Sequence, residues 1–272
     1  MYAETIDGFI KAADKKLAAM RSSPGGFFVS SMLAGAYVGM GIILIFVLGN
    51  QAPPELQKLI MGATFGIALT LVVIAGAELF TGHTMFMALR GYRGIGTTGD
   101  IPASWGLTWI GNLAGALVLV ALFALGGGGG ILSAPDTLVM KVAAFKMNSG
   151  GTALFARAIL CNWLVCLAIW MAARVNSDSA KCIVIFWCLL AFIASGFEHS
   201  VANMTLLGLA LAGNHPETVT LAGFAWNFAW VTLGNAVGGA IFVAGAYYAS
   251  TYGFALPAPV RGEAAAVSTE SK

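Results

Sequence analysis

Six stretches of the chain stay apolar for longer than a soluble core element requires: 27–48, 59–89, 107–125, 154–173, 182–212 and 221–248. A helix rising about 1.5 Å per residue needs roughly 20 apolar residues to cross a bilayer's hydrocarbon core. Each stretch therefore predicts one transmembrane crossing. Turn-rich segments separate them: 49–55 with two prolines, 91–102, the glycine run 126–130, 176–181 and 213–217. An even number of crossings puts both termini on one side of the membrane.

Ahead of the first crossing, residues 1–26 place Ile6, Phe9, Ile10, Ala13, Leu17 and Met20 at helical spacing, with Lys11, Lys15 and Lys16 off that stripe. This predicts an amphipathic helix lying on the inner membrane surface. It reads either as an inner gate or as a passive collar against neighbouring subunits. The segment has no cleavable signal pattern, so the mature chain is expected to start near Met1. The pore domain is expected over 27–250, and 251–272, rich in Ala, Glu, Ser and Thr, predicts a disordered cytoplasmic tail.

Composition supports lipid as the solvent: 58% of residues are hydrophobic and 10% charged, against about 25% charged in soluble chains. A net charge of +2 leaves no electrostatic footprint for nucleic acid. Cys161, Cys166, Cys182 and Cys188 lie in apolar stretches and predict buried small side chains, with neither a metal-ligand pair nor a disulfide. Lys11, Lys15, Lys16, Arg21, Arg90, Arg93, Arg174, Lys181, Arg261 and Lys272 fall on one face, against Lys58, Lys141, Lys146 and the boundary residue Arg157 on the other. The positive-inside rule then makes both termini cytoplasmic.

The second and fifth stretches are longer than a crossing needs, and each is interrupted by polar groups: Gly76-Ala77-Glu78-Leu79-Phe80-Thr81-Gly82-His83-Thr84, and Ser195-Gly196-Phe197-Glu198-His199-Ser200-Val201-Ala202-Asn203. An unsatisfied backbone group in hydrocarbon costs several kcal/mol, so a broken helix survives only where protein or a cavity shields it. Gly-x-Glu occurs in both interruptions, and Gly-Asn recurs at Gly111-Asn112 and Gly234-Asn235. With three crossings per half, the halves are expected to form a 3+3 inverted repeat whose broken helices meet at the substrate path. The fold class is thus an all-α polytopic membrane protein of six transmembrane helices.

Glu78 and Glu198 are intramembrane carboxylates and functional candidates for that reason. Because they recur in both halves, the favoured reading is structural, with each accepting hydrogen bonds from backbone N–H groups freed by its break. Asn112 and Asn235 are placed at the same structural task. His199 has no such counterpart, since Leu79 occupies the matching place. An imidazole there can couple its charge to an arriving anion, which makes His199 the candidate proton switch. His83 reads as a cap on the second helix's break, and His215 as an inert loop residue. Thr81 can donate to an anion or to His199, or bond its local backbone. By counting from the membrane entries, Phe65 and Phe192 fall toward the outer half and Leu69, Leu79 and Phe80 toward the inner half. Ordinary helix packing explains them equally well.

Taken together, Gly76 to Thr81, Gly111-Asn112-Leu113-Ala114-Gly115, Cys161 to Ala168, Ser195 to Met204 and Gly234 to Gly239 closely resemble the formate/nitrite transporter family over nearly the whole membrane domain. That resemblance implies an aquaporin-like fold assembled as a homopentamer, with one pore per protomer, in the inner membrane of a bacterium. It implies that His199 is the central pore histidine and Thr81 its partner. Phe65, Phe192 and Val165 would line an outer constriction, and Leu69, Leu79 and Phe80 an inner one. Lys146 and Asn162 would serve anion attraction and pore lining. Gly82-His83, where formate-carrying members have a small polar pair, leans toward nitrite.

The expected activity is passage of a small monovalent weak-acid anion, nitrite foremost and formate or hydrosulfide as alternatives, with no cofactor, metal or enzymatic step. Outer basic residues would concentrate the anion, and protonation at His199 would let it cross the apolar region as its neutral acid. A channel for water or a small polyol is a second transport reading. An intramembrane metal-dependent hydrolase using His83, His199, Glu78 and Glu198 is a reading from another class, although no HExxH spacing exists. A purely structural scaffold leaves the two polar breaks unexplained.

Overall fold

The computed structural model describes residues 1–97 and 99–254, and among these every regular element is helical. What was expected of 255–272, including Arg261 and Lys272, falls outside the described residues. In chain order the helices are α1 (Ala3–Ser22), α2 (Pro24–Gln51), α3 (Gln57–Gly76), α4 (Phe80–Tyr92), α5 (Asp100–Leu125), α6 (Leu138–Met147), α7 (Gly151–Ala172), α8 (Asp178–Ala194), α9 (Ser200–Ala212) and α10 (Leu221–Tyr252). Among the described residues, α2, α3, α5, α7 and α10 are each long and apolar enough to cross a membrane. The stretch 59–89 is shared by α3 and α4, and 182–212 by α8 and α9. At 17 and 13 residues, α8 and α9 each fall short of a crossing alone.

Local chemistry sets the ends. Pro24 opens α2 where its missing N–H costs nothing. Pro53 then forces Ala52 into extended backbone after the helix. The Thr220 hydroxyl caps α10 by accepting from the Gly223 N–H at 3.0 Å. Two segments widen to π-helix, Leu71–Gly76 at the end of α3 and Gly238–Gly245 within α10. Such wide turns favour functional sites.

Outward-facing Ile74, Ile110, Leu122, Ile183, Trp187, Leu233 and Ile241 are each at least half exposed. A coat of large apolar side chains on several long helices is solvated by lipid rather than water. The chain is a multi-pass membrane protein. Without a hydrophobic drive between helices in lipid, close backbone approach through small residues holds them together. A Cβ on Gly111 would press on the carbonyl of Phe28, and one on Gly115 on that of Met32, where α5 crosses α2. The same contacts recur where α10 crosses α7: Gly234 lies on the carbonyl of Phe155 and Gly238 on that of Ile159.

Two expectations change. The apolar stripe of α1 does not face lipid: Ile6, Phe9 and Ile10 pack with Met85, Leu89 and Trp170, while Ala13 and Leu17 pack with Met87. The protein itself covers that face. Salt bridges fasten α1 further, Asp14 to Arg90 at 2.6 Å, Asp7 to Arg93 at 3.2 Å, and Arg21 to Asp100. Also, 138–147 forms helix α6, which no long apolar run announced and which carries Lys146.

Candidate functional site

Gly76 and Gly196 make the turns that stop α3 and α8, at φ of +85° and +71°. Only glycine adopts these readily. Just past each glycine the chain folds back the same way: the Ala77 N–H donates to the Val72 carbonyl at 3.0 Å, and the Phe197 N–H to the Phe192 carbonyl at 3.1 Å. Leu79 and His199 then lead in extended conformation into α4 and α9.

The backbone groups freed here are satisfied by two asparagines. The Phe80 N–H donates to Asn112 Oδ1 at 2.9 Å, and Asn112 Nδ2 donates to the carbonyls of Ser31 and Glu78 at 2.7 and 2.8 Å. Correspondingly the Ser200 N–H donates to Asn235 Oδ1 at 2.7 Å, and Asn235 Nδ2 to the carbonyls of Ala158 and Glu198 at 2.8 and 2.9 Å. Both asparagines are fully buried.

The role expected of the glutamate carboxylates therefore belongs to Asn112 and Asn235, whose amides offer both a donor and an acceptor. The carboxylates bind cations and side-chain N–H groups instead. Glu78 Oε2 is shared by Lys16 Nζ of α1 and, at 2.6 Å, His83 Nε2, whose Nδ1 reaches Ser104 Oγ at 2.8 Å. Glu198 Oε2 is shared by Lys146 Nζ of α6 at 2.6 Å and Asn203 Nδ2 at 2.8 Å, and Asn203 Nδ2 also donates to Asn227 Oδ1 at 2.8 Å. Lys146 is thus neutralised by a buried partner. Lys16, Ser104 and Asn227 were missed as site residues because their partners lie on other helices, and Asn203 because its place in the break did not reveal that it reaches back to Glu198, five residues earlier.

Between these two clusters, Thr81 Oγ1 and His199 Nε2 meet at 3.0 Å, both buried. His199 caps α9: its Nδ1 accepts from the Ala202 N–H at 3.1 Å. A ring nitrogen that accepts carries no proton, so Nε2 holds the hydrogen and donates it to Thr81 Oγ1. Thr81's own hydroxyl hydrogen has no acceptor among the described residues. The imidazole stacks on Phe192, ring centres 5.9 Å apart, and Phe192 meets Phe65 edge-on at 5.4 Å.

His199, Phe65, Phe192, Val165, Leu69 and Leu79 line one cavity with Val38 and Leu189, the last two not singled out by sequence. Its volume is about 10 Å³, at the lower edge of what one water needs. Phe80 lies outside it, edge-on to Trp105. Asn162 is not a lining residue either: it is fully buried, its amide turned to main-chain and hydroxyl acceptors. A second cavity of about 400 Å³ lies on the other side of His199 and Phe192, with Lys58, Lys146, Arg157 and Glu198 on its walls. The four residues of the hydrolase reading do not share a site, His83 and Glu78 forming one cluster and Glu198 and His199 each having other partners.

Comparison with known proteins gives the family. The family model "Formate/nitrite transporter" matches residues 3–249. The chain is 51% identical over 261 residues to "Nitrite transporter NirC" of Salmonella typhimurium, covering 96% of each chain. Among solved structures, an "FNT family ion channel" matches with a TM-score of 0.88 at 51% identity, over 91% of this chain and 98% of that one. A "Pentameric formate channel with formate bound" matches with a TM-score of 0.70 at 28% identity, over 89% and 98%. This chain belongs to the formate/nitrite transporter family.

Proposed function

We propose that the protein carries nitrite, a small monovalent weak-acid anion, across the inner membrane of a bacterium, through a pore in each subunit of a homopentamer. The observation that carries this reading is the hydrogen bond of 3.0 Å between Thr81 and His199 at the edge of an apolar cavity of about 10 Å³. The relatives' names support nitrite, and the pentameric formate channel supports the assembly. The paired crossings of α2 with α5 and α7 with α10, and the paired asparagine caps, support a 3+3 inverted repeat of six spans, with α3–α4 and α8–α9 as its broken helices. Gathering Lys16, Arg21, Arg90 and Arg93 on one end of the bundle supports cytoplasmic termini.

The chemistry follows from the hydrogen bonds. Lys58 and Arg157, with the Lys146–Glu198 pair between them, raise the anion's local concentration in the outer cavity. A bare anion cannot enter the apolar passage cheaply, because transferring an isolated charge out of water costs far more than burying a neutral polar group. His199 Nε2–H and the Thr81 hydroxyl form a two-link donor, with His199 on the walls of both cavities. Delivery of a proton needs one taken up at Nδ1, which releases the Ala202 N–H. The Nε2 hydrogen then passes to Thr81 Oγ1 as Thr81's hydrogen passes to the anion. The neutral acid leaves and the ring is left with its one hydrogen on Nδ1. Exchange with water of the outer cavity that His199 lines, Nδ1 releasing its hydrogen and Nε2 gaining one, restores the starting tautomer and lets the Ala202 cap re-form. Phe65, Phe192 and Val165, with Leu69 and Leu79, keep the passage dry.

Nitrite flux into proteoliposomes, with formate as competitor and measured across pH, tests this. His199→Phe is expected to change the pH profile and the selectivity. An unchanged profile refutes the proton step.

A further inference from the structure

Matching contacts define which positions of the two halves correspond. Glu78 and Phe80 correspond to Glu198 and Ser200, Asn112 to Asn235, and Met32 to Ile159. Counting along the helices from these anchors, Leu79, Thr81 and Thr84 correspond to His199, Val201 and Met204, and Gly35 and Gly39 to Asn162 and Cys166. The polar residues that cap and pair, Asn112 with Asn235 and Glu78 with Glu198, recur in kind. Thr81, Thr84, Asn162, Cys166 and His199 each face an apolar counterpart. The repeated framework thus occurs once with these polar groups and once without them.

These five residues nevertheless form one connected network. Asn162 Nδ2 lies 3.2 Å from the Thr81 carbonyl, 3.0 Å from Thr84 Oγ1 and 2.6 Å from the Asn235 carbonyl. The Thr84 hydroxyl donates to the Thr81 carbonyl at 2.7 Å. Cys166 Sγ lies 3.4 Å from that carbonyl and 3.6 Å from Asn162 Oδ1. Asn162 therefore joins the main chain of Thr81 to that of Asn235, whose side chain holds the backbone on both sides of His199. A single amide spans the two segments that bring the hydroxyl and the imidazole together. Gly239 makes room for it, since a Cβ there would collide with Thr84 Oγ1 and lie 2.8 Å from Asn162 Nδ2.

We propose that Asn162 is a positioning residue: it sets the approach of Thr81 Oγ1 to His199 Nε2 from behind, without touching the permeating ion. This rests on the reading of Thr81 and His199 as the centre of the pore.

The chain has three histidines, so ring ¹⁵N spectra of the histidine-labelled protein in lipid separate His199 from His83 and His215. Thr81→Val identifies the His199 Nε2 signal by removing its partner. Asn162→Ala is expected to move that signal in the same direction and to leave the other two rings in place. Thr84→Val, which keeps the side-chain volume and removes one arm of the hub, is expected to move it less, and serves alone if Asn162→Ala fails to assemble. An unmoved His199 signal in whichever of these assembles overturns the proposal. Because the spectra involve no transport, such a failure leaves the proton-linked reading standing, whereas an unchanged pH profile in His199→Phe removes that reading and leaves the positioning result intact.

Discussion

Thr81 and His199, 118 positions apart in sequence, share one buried hydrogen bond in which the imidazole donates and the hydroxyl accepts. Thr81→Val keeps the shape and strands the Nε2–H. Losing a donor to a charged visitor is worth about 1.5–3 kcal/mol, so nitrite flux in proteoliposomes is expected to fall roughly ten- to hundredfold. Thr81→Ser, which restores the hydroxyl, is expected to recover most of it. Equal flux in the valine and serine variants would contradict the donor role.

His83 and Asn203 do equivalent work on Glu78 and Glu198. His83→Asn copies the other half's solution and is expected to leave the melting temperature nearly unchanged. His83→Leu leaves Ser104 and one arm of Glu78 without a partner, at a cost of about 1–3 kcal/mol. Thermal unfolding of both variants in detergent checks the contrast; equal losses would show that imidazole chemistry, rather than donation to Glu78, matters there.

Gly76 and Gly196 lie in the left-handed region with nothing within 4 Å of where a Cβ would stand. Alanine at either place meets no neighbour, so its effect isolates backbone strain, about 1–2 kcal/mol. Thermal unfolding should register that loss for each. No change at Gly76→Ala would mean that α3 ends for another reason.

Asn112 makes three buried hydrogen bonds and Asn235 makes three in the corresponding place. Alanine at either strands several main-chain groups and is expected to cost about 3 kcal/mol or more. A loss below about 1 kcal/mol would contradict the capping role.

The apolar runs made most of the helices legible, because lipid demands long uninterrupted segments and tolerates few polar residues. The glycines and glutamates marked where α3 and α8 end. Partner identity was not legible. Glu78 meets Lys16 across 62 positions and Glu198 meets Lys146 across 52, and no local pattern encodes such pairs. The stripe of α1 was visible, yet a stripe fits lipid and protein equally, and here Met85, Leu89 and Trp170 cover it. The family resemblance puts Asn162 on the pore lining, and only the location of its three acceptors shows its amide turned into the protein; α6 is too short for its apolar residues to stand out.

Simultaneous recording of nitrite entry and lumen acidification in proteoliposomes, against protein-free vesicles, tests the proton-linked passage most directly. The geometry at His199 predicts that acid appears in the lumen in step with nitrite, and that His199→Phe uncouples the two. Full nitrite flux with no acidification beyond the protein-free level would contradict it.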